Sequence, residues 1–178
     1  NAILKSEINH LKNETLKMRD DATNLANALR GESKTQGDWG EQQMETILNA
    51  AGLERNIHYE KEKNLKNENQ DNQRLDYIVK LPGDKCIIID SKVSLVAYVN
   101  YYNAEEKEDK KYYLKEHLKS INTHVTTLAN KNYQDLDINQ PDYILMFMAN
   151  EPAFKLAVLE DVSLYNKAID RNIVMVTN

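Results

Sequence analysis

The sequence predicts a mixed α/β fold: a central mixed sheet flanked by helices, with a coiled-coil helix in front of it. Three observations carry that expectation. Residues 1–30 hold a sustained helical apolar seam without Gly or Pro. Short β-branched runs occupy residues 75–81 and 85–90, with further apolar runs at 143–148 and from Ile173 onward. Between these runs lie stretches of helical period. The resulting order is helix, strands, helix, strand, helix, strand, which packs as a sheet covered by helices.

In residues 1–30 the seam is Leu4, Ile8, Leu11, Thr15, Met18, Ala22, Leu25 and Leu29, alternating steps of four and three. That is the a/d pattern of a coiled coil, so self-association into a homo-oligomer is expected. The other reading is a helix lying on the rest of the domain. Residues 31–37 read as a polar break, which divides the chain into a coiled-coil helix at 1–30 and a domain at 31–178. A second helix is expected over 38–51, with Asp38 as its N-cap, Gly52 as its stop, and Trp39, Met44, Ile47 and Leu48 on one face.

Residues 58–73 are polar and Asn-rich, read as a short strand and a long turn. The runs 75–81 and 85–90 flank Pro82-Gly83-Asp84, a turn signal that makes them a hairpin. The solid Ile87-Ile88-Ile89 suggests a strand covered on both faces, hence central. Residues 93–132 read as two helical pieces, and 152–159 as a helix with Pro152 in its first turn. The charge run over 105–111 reads as a solvated face.

With 41% hydrophobic and 29% charged residues, the chain belongs among soluble globular proteins. No 18-residue apolar run is present to span a membrane. The single Cys86 excludes an internal disulfide and a cysteine zinc site, and fits a reducing, cytoplasmic setting. A net charge of −5 argues against a protein that coats nucleic acid through a basic surface, without excluding a local basic groove. The opening Asn1 and the closing apolar run suggest a piece of a longer chain, with room upstream for a membrane anchor.

The chemistry concentrates at Asp76 and, fourteen residues on, at Asp90-Ser91-Lys92. Strand alternation sets Asp90 and Lys92 on one side, and the hairpin brings Asp76 within a residue or two of Asp90. Two carboxylates side by side call for a cation, and Mg²⁺, with Mn²⁺ able to substitute, suits paired carboxylates, waters and a phosphate. Lys92 would orient the attacking water or stabilise charge on the phosphate. The plainer alternatives are a surface ion pair for Asp90 and Lys92 and a solvated turn carboxylate for Asp76.

These residues resemble the PD-(D/E)XK nuclease signature, with Leu75 where that signature has proline. The surroundings are more specific. Gly37-Asp38-Trp39-Gly40-Glu41, Arg74-Leu75-Asp76-Tyr77-Ile78-Val79 and Ile88-Ile89-Asp90-Ser91-Lys92-Val93-Ser94-Leu95 are similar to the RmuC family. So are Tyr98, His117, His124, Lys131-Asn132-Tyr133 and Phe147-Met148-Ala149-Asn150-Glu151-Pro152-Ala153. The resemblance covers about residues 31–178. It implies a restriction-endonuclease-like core, with Glu41 joining Asp76 and Asp90 at the metal. It also implies a role in limiting DNA rearrangement at inverted repeats by cleaving DNA, and a membrane anchor in longer members, which would tether the protein to the inner face of the membrane.

His117 and His124, seven apart on one helical face, are candidates for phosphate contact or ordinary core-edge histidines. Lys131 and Tyr133 are candidates for touching the DNA backbone, Glu151 for approaching the site, and Trp39 for core packing. The expected function is Mg²⁺-dependent deoxyribonuclease activity. The alternative is a non-catalytic DNA-binding or scaffolding module organised by its coiled coil, and a weaker one is action on RNA.

Overall fold

The computed structural model describes residues 6, 7, 10, 12, 13, 16, 17, 20, 24, 25, 33–66, 72–92, 95–131, 133 and 143–177, with the backbone alone at 33, 34, 63–66, 72–74 and 92. From Ser33 onward the described residues form, in order, α1 (Ser33–Ala50), β1 (Tyr59–Lys66), β2 (Asn72–Leu81), β3 (Lys85–Lys92), α2 (Val96–Asn103), α3 (Lys107–Ala129), β4 (Ile144–Met148), α4 (Glu151–Glu160), α5 (Ser163–Ile169) and β5 (Ile173–Val176). The strands form one sheet in sequence order, β1-β2-β3-β4-β5. Pairing is antiparallel from β1 to β3 and parallel from β3 to β5. Each parallel step needs a crossover, supplied first by α2 and α3 and then by α4 and α5.

The isoleucine run lies in the central strand, as its composition requires. Ile88 belongs to an apolar cluster with Ile121, Val125 and Leu128 of α3, Ala157 of α4 and Leu164 and Ala168 of α5. Ile89 belongs to a second cluster with Met44 and Leu48 of α1 on the other face. Burying each such side chain contributes about 1.5–3 kcal/mol. Cys86 is a buried cysteine of the first cluster and forms no disulfide. At one end of the sheet a third cluster joins Leu95, Tyr98, Val99 and Ala153, with Trp39 packed against both it and the α1 cluster. Trp39 is therefore a packing residue.

α1 begins five residues before the expected Asp38, so the stretch read as a polar break is partly helical and Asp38 is interior to the helix. Gly37 is tolerated because α1 is held by Met44 and Leu48 downstream and because Gln36 Oε1 accepts from Leu95 N at 3.5 Å. The other end is as expected. Gly52 adopts φ 79°, Leu53 N donates to Leu48 O and Gly52 N to Asn49 O, both at 3.0 Å, a Schellman stop. Of the 58–73 stretch, 59–66 form β1 and 72–73 open β2, so the described part is strand. β1 is an eight-residue edge strand of the sheet, rich in charged residues as exposed edges commonly are.

α5 is an element that periodicity did not reveal, being only seven residues long. α4 is capped by Asn150, whose Oδ1 accepts from Ala153 N at 2.8 Å, and Pro152 stands in its first turn. The run over 105–111 is exposed at the start of α3, as a solvated face.

The described residues before α1 are helical. Of the seam, Leu4, Ile8, Leu11, Thr15, Met18, Ala22 and Leu29 lie outside the described residues. Leu25 is described, and it packs against the Leu95–Tyr98–Val99–Ala153 cluster. At that seam position the helix rests on the domain. Among the described residues no helix is long and apolar enough to cross a membrane.

Candidate active site

The hairpin register builds the centre of the site. Pro82-Gly83-Asp84 turns with φ 75° at Gly83 and 56° at Asp84, and pairs run from Leu81↔Lys85 to Tyr77↔Ile89. The next step along both strands brings Asp76 alongside Asp90. There the backbone ladder gives way to a side-chain bond: Asp76 Oδ2 accepts from Ser91 N at 3.0 Å. The pleat of β2 is interrupted at the same point. Leu75 packs in the α3 cluster and Tyr77 in the α1 cluster, although a regular strand would put both on one face. Opposite Asp76, Glu62 of β1 sits at φ 55° between the pairs Lys61↔Tyr77 and Lys63↔Leu75. Irregularities of this kind re-aim a side chain at a strand end.

Asp90 is 1% exposed. Lys131 Nζ lies 3.5 Å from its Oδ1, and the same ammonium stands 5.4 Å from the centre of the Tyr133 ring. Tyr133 is buried too. Burial first, then the nearby Asp90 and Asp76 carboxylates, push its hydroxyl well above the usual tyrosine range, so it remains a neutral phenol. Lys131 and Tyr133, expected to meet a DNA backbone, thus converge on the carboxylate pair. Ser91 Oγ is buried beside them and has no hydrogen-bond partner among the described residues. Lys92 closes β3 opposite Met148 of β4; its side chain lies outside the described residues.

Glu41 is engaged by a lysine. Its carboxylate binds Lys61 Nζ at 3.0 Å, Glu45 binds the same amine at 2.6 Å, and Tyr77 Oη donates to the Glu41 carbonyl at 3.0 Å. Burial alone would lower the Lys61 pKa, but Glu45 and Glu41 together outweigh it and hold the amine above its ordinary value. Among the described residues no three His, Cys, Asp or Glu side chains gather closely enough to hold a metal. Asp76 and Asp90 are brought together; Glu41 is not added to them.

The family model of RmuC matches residues 1–178. The chain belongs to the RmuC family. It is 41% identical over 179 residues to the DNA recombination protein RmuC homolog of Haemophilus influenzae, covering 100% of this chain and 40% of that protein. It is 39% identical over 175 residues to the DNA recombination protein RmuC of Escherichia coli strain K12, covering 98% of this chain and 37% of that protein. The chain therefore spans about two fifths of the length of the curated relatives it matches. No solved structure matches it.

One of the two helix histidines of this RmuC-family chain answers to packing. His117 is 0% exposed, and its Nε2 meets the Ala153 carbonyl at 2.8 Å, which makes that nitrogen the donor and ties α3 to the start of α4. Burial lowers its pKa, and the Ala153 carbonyl offsets part of that. A phosphate contact needs a surface that His117 does not have. His124 is half-buried and lines a shallow outer concavity with Glu116, Lys119, Ser120 and Thr123. Glu151 opens α4 just beyond the strand end that pairs with Lys92, and its carboxylate holds Lys155 at 2.7 Å.

Proposed function

We propose that this domain takes part in DNA recombination as a metal-dependent deoxyribonuclease built on a restriction-endonuclease-like core. The observation that carries the reading is the carboxylate pair: Asp90 buried at the sheet end, and Asp76 beside it, drawn in by the Ser91 amide. Hard carboxylate oxygens suit Mg²⁺ or Mn²⁺, and the Lys131 ammonium at 3.5 Å marks a place where positive charge is already stabilised. The donor set fits a divalent ion with two protein carboxylates and the rest of its shell from water and phosphate. When bound, such an ion polarises the phosphoryl oxygen and lowers the pKa of a water.

The chain's own residues do the positioning. Asp76 and Asp90 bind; Ser91 N fixes the Asp76 carboxylate; Lys92, two residues on, orients the water and balances charge on the phosphate. Glu41 joins only by exchanging its Lys61 partner, so it is the ligand of the set that needs rearrangement. In the whole protein the leading helix adds homo-oligomerisation through a coiled coil, and an upstream anchor tethers the cytoplasmic domain to the membrane. The names carried by its relatives support the recombination role.

Purified protein with Mg²⁺ and linear or branched DNA tests the reading. Cleavage should appear, stop with EDTA, and be lost in Asp90→Asn; cleavage undiminished by that change would withdraw it. The second reading, a DNA-binding or scaffolding module without catalysis, is favoured by the Glu41–Lys61 pairing and by the lack of a three-acid group among the described residues. Calorimetry with Mg²⁺ or Mn²⁺ separates the two, since only the first needs a metal site.

A further inference from the structure

We infer that Lys131 is a resident counter-ion of Asp90, standing where the Asp76–Asp90 pair would hold a divalent cation, so that the two cations exclude one another. The inference rests on the metal reading above. Burying a carboxylate to 1% exposure is costly unless charge is compensated, and Lys131 brings a cation to it. Its separation of 3.5 Å from Asp90 Oδ1 is longer than a tight charge-assisted bond, about 2.7–2.9 Å, which leaves an attraction that can be exchanged.

Two more features hold the amine near without locking it. The Tyr133 ring lies 5.4 Å from Nζ, a cation–π distance. Lys131 also follows the end of α3 directly, its N–H donating to Leu128 O at 3.2 Å, where the helix carbonyls favour positive charge. At 29% exposure the side chain has a route to solvent. The Lys61 amine makes the contrast, clamped between two carboxylates at 3.0 and 2.6 Å. A divalent ion arriving at Asp90 would repel the ammonium outward, where it becomes available to a phosphodiester. Lys131 is thus a positioning residue coupled to the metal.

Mn²⁺ titration of the whole chain, followed by the electron paramagnetic resonance of free Mn²⁺, tests the exchange directly. Lys131→Met should bind Mn²⁺ about tenfold more tightly than the parent, because a competing charge a few ångströms away is gone. In EDTA the same variant should melt lower than the parent, and saturating Mn²⁺ should close the gap. Lys131→Arg should keep the melting point in EDTA. Should Lys131→Met fail to fold in EDTA, Lys131→Gln carries the same titration. Equal or weaker Mn²⁺ binding by the variant, with the parent binding, overturns the exchange and leaves the metal reading standing. No Mn²⁺ binding by either protein withdraws both.

Discussion

Two lysine–carboxylate clusters lie on opposite faces of the same sheet, and they differ in what surrounds them. Under α3, Asp90 is 1% exposed and Lys131 meets it at 3.5 Å. Under α1, Glu41 and Glu45 are 24% and 26% exposed and share Lys61 at 3.0 and 2.6 Å. The wetter cluster has the shorter bonds. A partly solvated ion pair can relax to its best geometry at little cost, whereas a buried carboxylate is held by the strands around it and takes what compensation the fold supplies. The first arrangement is a brace between α1 and β1. The cluster under α3 is a looser neutralisation, with a longer contact to a fully buried carboxylate.

The largest effect should come from the buried cluster. Asp90→Asn is expected to lower Mg²⁺-dependent DNA cleavage by about a hundredfold or more, and Glu41→Gln by about tenfold or less, read as initial rates on a labelled duplex. Equal losses would erase the distinction between the clusters and restore Glu41 as a full ligand.

The part of this contrast that was legible in the sequence is the local part. The Pro82-Gly83-Asp84 turn fixes the hairpin register, so Asp76 beside Asp90 follows from counting along two strands. The Lys131–Asp90 contact spans 41 positions and depends on where α3 ends against the sheet, which no period in the sequence encodes. Tyr133 is likewise buried by that docking rather than by its neighbours. Glu41 rests on resemblance alone, and Lys61, its partner, lies in a polar strand, Tyr59–Lys66, with no apolar alternation to announce it. His117 reads as a polar residue on a helix; only the approach of Ala153 turns it into a core donor.

His117 carries the next effect. His117→Ala should cost about 2–4 kcal/mol in denaturant unfolding, from a cavity and an orphaned Ala153 carbonyl. Its pKa is lowered from 6.5, so the unfolded chain binds more protons there and stability falls as pH drops below about 6.5 toward the folded value. His117→Gln, which can still donate to Ala153, should flatten that slope. On the other face the sign reverses: Lys61, held above 10.5, adds stability at neutral pH that is lost as the solution becomes alkaline through its folded pKa. Lys61→Met should cost only about 0.5–1 kcal/mol and flatten the alkaline limb. A loss as large as that of His117→Ala would mean the α1 cluster is buried in energetic terms after all.

The smallest effect tests how α1 comes to present Glu41 from a helix interior. Gly37 lies within α1, not at its start, and a Cβ built there meets nothing within 4 Å. Its backbone is not in the left-handed region, in contrast to Gly52 at φ 79°. A glycine inside a helix is less favourable than alanine by about 1 kcal/mol, from the backbone freedom lost on folding. Gly37→Ala should therefore stabilise the domain by about 0.5–1 kcal/mol, seen as a higher denaturant midpoint at unchanged slope. Gly52→Ala should destabilise it by about 1 kcal/mol, because that residue must take the left-handed conformation that ends the helix. If Gly37→Ala were instead destabilising with a lowered cleavage rate, the first turns of α1 must unwind in the working protein. Glu41 would then leave Lys61 through that motion, and the two clusters would be parts of one site.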